Sequence, residues 1–146
     1  MNIELLQRIK AHVLEEPKRI YMGDWNYRID AGEEYEIEGA TLVGPACGTV
    51  ACICGWAIQL SDAELNDADS ARGQGPTGKR LLDLSGSPWY PEKDSDEFSQ
   101  AQRLFHEICW PEEFRARLQN APVQSQEYAQ VVADRIDHFI ATDGRE

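Results

Sequence analysis

Three of the four cysteines, Cys47, Cys52 and Cys54, fall within one small-residue run, ACGTVACICGWAIQL, at residues 46–60. Thiols spaced this way could hold a metal, form a disulfide or attack as a nucleophile. A cysteine at the head of a helix gains from the positive end of the helix dipole, which favours its thiolate. Cys47, followed by Gly48-Thr49, is therefore the candidate nucleophile of a cysteine-dependent hydrolase or transferase. Its base would be His106 or His138, with Asp134 or Asp137 to orient the imidazole. Both histidines sit on expected helices, where a polar-face position also explains them.

The other two chemistries fare worse on spacing. At ~100° per residue, Cys47 and Cys54 share a helix face but lie about two turns apart, and Cys52 points elsewhere. Three thiolates so arranged do not converge on one ion, so no metal site is expected, and no residue pattern calls for a cofactor. Residues five apart on a helix also exceed the reach of a disulfide. A bridge to Cys109 would need a tertiary contact. Packing accounts for the segment most simply, because free cysteine behaves as a small hydrophobe. Residues 49–60 are apolar almost all round, which predicts a buried central helix. A neighbour could approach it at Gly55, with Trp56 filling the opposite side.

The flanking elements read as a mainly α, single domain over residues 1–146, with about five to seven helices. Residues 3–15 carry Ile3, Leu6, Ile9 and Val13 at helical spacing and stop before Pro17. Residues 18–46 predict an irregular segment or short β-hairpin pinned by Tyr21, Trp25 and Tyr27, and ordered loops of this length are often functional. A short turn is expected after Ser61-Asp62, and a flexible connection over 70–78. Residues 78–86 predict a short helix closed by Gly86. Trp89 and Tyr90 are expected to dock inward from a turn-rich link. Residues 95–109 predict a helix with Phe98, Ala101, Leu104, Phe105 and Ile108 on one face. Pro111 would open the next helix, and 125–142 reads as the last, with Gly144 past its end.

The CGTVACICGWA stretch resembles the CGT-x-x-C-x-x-GWA motif of small bacterial and phage-associated proteins. The likeness extends to Met22-Gly23-Asp24-Trp25 before it, and after it to Leu81, Leu82 and Leu84, then Leu104-Phe105 and Trp110-Pro111. It covers roughly residues 20–140. Cys54 departs from the pattern, where a small residue such as alanine is expected. The resemblance implies a shared fold and no particular activity, and it places Cys54 outside any shared chemistry.

Bulk composition narrows the function classes. Twenty-six acidic residues against fourteen basic ones leave a net charge of −12. That disfavours direct contact with nucleic acid or an anionic membrane, which needs clustered Lys and Arg. It suits a basic protein partner, and it also serves solubility. The chain lacks a membrane span or signal-peptide pattern, which predicts a cytoplasmic protein with reduced thiols. The leading expectation is thus a non-enzymatic protein-interaction or regulatory module, and the cysteine enzyme is the alternative. A binding surface or ligand cavity would draw on Trp25, Tyr27, Cys47 and Trp56.

Overall fold

The computed structural model describes residues 1–24, 26–37, 39–62, 73–90 and 97–146. Helix α1 (Ile3–Glu15) starts where the Asn2 side chain accepts the Leu5 amide at 3.1 Å. It ends before Pro17, which opens a single 3-10 turn at Pro17–Arg19. Its buried stripe is Leu5, Leu6, Ile9 and Val13. Ile3, expected on that stripe, is exposed instead.

The segment before the cysteine run is a bent antiparallel ribbon. Its outer ladder pairs β1 (Asn26–Arg28) with β4 (Thr49–Ala51), and its inner ladder pairs β2 (Glu34–Ile37) with β3 (Ala40–Val43). Arg28 faces Thr49 and Glu34 faces Val43, so the connecting stretches between the ladders are of equal length. Ile29, Leu42 and Val50 form a small core beneath the ribbon, with Tyr21 and Tyr27 packed on it.

This ribbon corrects the expected 49–60 helix. Gly48 takes a left-handed φ of +69°, and the β-branched Thr49 and Val50 then pair with Tyr27 and Arg28. Helix α2 starts only at Ile53 and runs to Leu60, with Cys52 as its extended N-cap. Ile53, Cys54, Gly55, Trp56 and Ala57 are buried.

Helix α3 (Gln74–Leu81) lies mostly where a flexible connection was expected. Thr77 Oγ1 donates to the Gly73 carbonyl at 2.8 Å and steadies the first turn. Gly75 and Gly78 are buried in this helix, and Gly78 packs against Cys54 of α2. A Cβ on Gly78 would lie 2.3 Å from the Cys54 sulfur, so α3 makes a close approach to α2 here.

Helix α4 (Gln100–Phe105) begins in a capping box between Ser99 and Gln102. It is shorter than expected because His106 leaves helical geometry at φ −114° and a 3-10 turn follows at Glu107–Cys109. Ile108 therefore turns outward, 46% exposed, instead of joining the apolar face. Helix α5 (Glu112–Asn120) follows Pro111, and α6 (Gln126–Ala141) is capped by the Ser125 hydroxyl.

Apolar faces of α1, α2 and α6 meet in one cluster that includes Ile9, Trp56 and Ile136. Each such side chain contributes roughly 1.5–3 kcal/mol by leaving water. The turn expected over 63–69, residues 70–72, and the expected helix start at 95–96 lie outside the described residues. Among the described residues no helix is long and apolar enough to cross a membrane.

Candidate functional site

Cys47 is not at a helix head. It sits exposed in the Pro45–Gly48 turn between β3 and β4, closed by the Gly48 amide donating to the Pro45 carbonyl at 2.9 Å. Its sulfur donates to the Thr49 carbonyl at 3.6 Å. The helix-dipole argument therefore does not apply to it, and neither does the helical spacing used against a metal site. Among the described residues no three His, Cys, Asp or Glu side chains gather as a metal site.

The histidines proposed as its base lie elsewhere. His138 belongs to α6, with its ring 5.2 Å from that of Phe114 and its Nε2 3.3 Å from Glu146. His106 follows α4, and its Nε2 lies 2.9 Å from the Pro88 carbonyl. A carbonyl only accepts, so Nε2 carries the proton. Burial lowers the pKa of His106, and the Pro88 contact opposes that only in part. Asp134 is engaged with Arg117 and Gln130, and Asp137 with Lys10. Trp25 lies outside the described residues. Trp56 is in the core, 3% exposed, and its Nε1 donates to the Arg19 carbonyl at 2.9 Å.

What the fold does assemble is a cleft of about 510 Å³ at the N-terminal end of α2. One wall is the Tyr21–Asp24 turn, which follows the 3-10 turn at Pro17–Arg19. Cys52 lines it from the α2 N-cap, and Phe105, His106 and Glu107 line it from the end of α4. Trp89 and Tyr90 complete it. These two side chains do not dock inward: they are 54% and 65% exposed. Their segment is held by its backbone instead. Ser99 Oγ donates to the Ser87 carbonyl at 2.6 Å, and Gln102 Nε2 to the Trp89 carbonyl at 2.9 Å. The Tyr90 ring meets that of His106 edge-on at 5.0 Å.

The electrostatics of the cleft are acidic and aromatic. Tyr27 donates its hydroxyl to Asp24 at 2.7 Å, which fixes that carboxylate at the rim. Glu107 keeps an exposed face, yet burial of its carboxyl in the wall raises its pKa. No Lys or Arg pairs with it among the described residues, and Arg115, in the adjoining groove, is taken by Glu112. Cys52 is only 3% exposed, and burial pushes its thiol up to about 11. The Gly55 and Cys54 amides at the helix start pull the other way without overcoming that effect. The one cysteine in the cleft is therefore a thiol at neutral pH.

The aromatic lining continues onto the ribbon. Tyr21 and Tyr27 are 6.4 Å apart, and Tyr27 and Tyr35 are 5.7 Å apart. On the other side, a groove of about 200 Å³ between Tyr90, Glu107 and Ile108 extends the cleft toward α5. Of the candidate residues read from sequence, Tyr27 and His106 belong to this region and Cys47, His138 and Trp56 do not. Asp24, Cys52, Trp89, Tyr90 and Glu107 were missed as site residues. The available signal was the pair Trp89-Tyr90 between two prolines, a rigid segment that can hold rings outward.

Comparisons with protein-family models, with curated proteins and with solved structures return no match.

Proposed function

We propose that this protein is a non-enzymatic interaction module whose docking face is the cleft bounded by Tyr21, Trp89, Tyr90 and Glu107. The observation that carries this reading is the concentration of outward-facing apolar side chains there. Trp89, Tyr90, Ile108 and Val123 are four of the six large hydrophobics exposed among the described residues. All four border this cleft, the groove toward α5, or a second groove of about 200 Å³ between Tyr21, Glu107 and Val123. Aromatic residues on a rigid backbone are the usual anchors of protein interfaces. The thiol chemistry does not compete well: the exposed sulfur of Cys47 lies in a turn bonded to a carbonyl, and the cleft's own thiol is held protonated.

The same reading takes the CGT-x-x-C-x-x-GWA stretch as a structural motif, shared with the bacterial and phage-associated proteins it resembles. Gly48 permits the turn, Thr49 pairs in the ribbon, Cys52 lines the core side of the cleft, and Trp56 fills the core.

A photo-crosslinking amino acid placed at Tyr90, at Ile108 and at Gln130 of α6 tests the proposal in cells that make the protein. The same protein partner should be captured from positions 90 and 108 and not from 130. Equal capture from all three, or none from 90 and 108, would contradict it.

A further inference from the structure

Resting on that docking face, we propose that its occupant is a basic segment of the partner protein. One arginine of that segment enters the cleft between the rings of Trp89 and Tyr90 and the carboxylates of Asp24 and Glu107.

The chemistry of the lining selects this occupant. Tyr21, Trp89 and Tyr90 offer ring faces, which attract a guanidinium through their quadrupoles and by stacking. Asp24 and Glu107 supply the formal negative charge, and among the described residues no Lys or Arg lines the cleft. Asp24 is oriented by the Tyr27 hydroxyl, so one carboxylate is already positioned. Glu107 is held where burial disfavours its charge, and no cation of the described residues relieves it. An incoming guanidinium would do so. His106, the cleft's other titratable base, is kept neutral by burial at neutral pH and so brings no competing positive charge. The net charge of −12 adds a longer-range field that draws a basic segment in. Arginine fits better than lysine because its planar group can stack on a ring while donating to two carboxylates.

The test is a titration of the full ¹⁵N-labelled chain with acetyl-Ala-Arg-Ala-amide, followed by amide and indole shifts at 150 mM salt. Parallel titrations use the lysine peptide and the uncharged, isosteric citrulline peptide. Shifts should cluster at Gly23, Glu107 and the Trp89 indole. The arginine peptide should bind several-fold tighter than lysine and roughly tenfold tighter than citrulline. Glu107→Gln and Trp89→Ala should each weaken it by roughly tenfold, while Glu34→Gln on the ribbon leaves it unchanged. Trp89 is more than half exposed, so its replacement leaves the fold intact, which the unshifted core resonances would verify.

Equal binding of the citrulline peptide would overturn the proposal. So would shifts spread over every acidic residue, with Glu34→Gln as damaging as Glu107→Gln. A partner crosslinked at positions 90 and 108 through a segment without Lys or Arg would leave the docking face standing and overturn only the arginine. A two-chain mass by light scattering that is lost on Tyr90→Ser would make a second copy the occupant and would equally overturn it.

Discussion

Cys47 and Cys52 stand five positions apart in one motif, and the fold gives them opposite circumstances. Cys47 is exposed in a turn, bonded to a backbone carbonyl. Cys52 lines the cleft that gathers rings and carboxylates, yet burial holds its thiol up at about 11. Reactivity needs a sulfur that is both accessible and ionised. Cys52, the thiol that lines the cleft, is closed off and held protonated, and this supports the proposed reading of the cleft as a docking face.

The largest expected effect lies on the buried side of this contrast. Gly78→Ala places a Cβ 2.3 Å from the Cys54 sulfur, and overpacking of this kind costs about 1–3 kcal/mol. Urea unfolding should show that loss. Adding Cys54→Ala should recover part of it, because removing the sulfur removes the clash. Strict additivity of the two losses would show that the α2–α3 contact is not where the strain arises.

Thiol labelling sharpens the comparison next. In the native protein one of the four free cysteines, Cys47, should react with a disulfide reagent at neutral pH, and Cys47→Ser should abolish the fast phase. Cys52 and Cys109, each pushed to about 11, and Cys54, which burial also raises well above its ordinary value, should react only on unfolding. A rise from 9 to about 11 lowers the thiolate fraction by roughly a hundredfold. Fast native labelling of Cys52 would break the argument that its site is closed to chemistry.

A smaller effect is set by the imidazoles. Burial lowers the pKa of both His12 and His106, so the unfolded chain binds protons more readily than the folded one. The stability this confers is complete above about pH 6.5 and declines as the pH falls through the histidine range. Thermal unfolding between pH 7.5 and 5.5 should show a Tm that drops on acidification, and His106→Asn should flatten the slope. A Tm that rises on acidification through this window would contradict it. Smallest of all, Cys47→Ser should change stability by no more than about 0.5 kcal/mol, as befits an exposed turn position. A larger loss in urea unfolding would mean that the turn depends on that sulfur.

The long helices were legible in the sequence because their signals are local. Asn2 and Ser125 cap α1 and α6, and each helix keeps a buried stripe at helical spacing. The ribbon was only half legible, since Thr49–Ala51 becomes a strand through pairing with residues more than twenty positions earlier. Apolar residues without a polar face fit a buried strand as well as a buried helix. The extent of α3 was hidden for a related reason. Its glycines read as flexibility, while in the fold Gly78 lies against Cys54 of α2, where a Cβ has no room. The cleft was the least legible feature, because it joins Asp24, Cys52, Trp89 and Glu107 across more than eighty positions. Arg135 shows the same limit: no local pattern marks it as fully buried. It lies over the Trp110, Phe114 and Phe139 rings and donates to the Arg103 and Glu146 carbonyls.

The most direct measurement is the affinity of the crosslinked partner for Trp89→Ala and for Cys47→Ala, taken side by side. Loss of a central aromatic anchor costs about 2 kcal/mol or more, roughly thirtyfold, so the first variant should bind at least that much more weakly. The second should stay within about twofold of the unaltered protein, as a residue outside the interface does. Weakened binding by Cys47→Ala with Trp89→Ala unaffected would place the working surface at the turn and contradict the account.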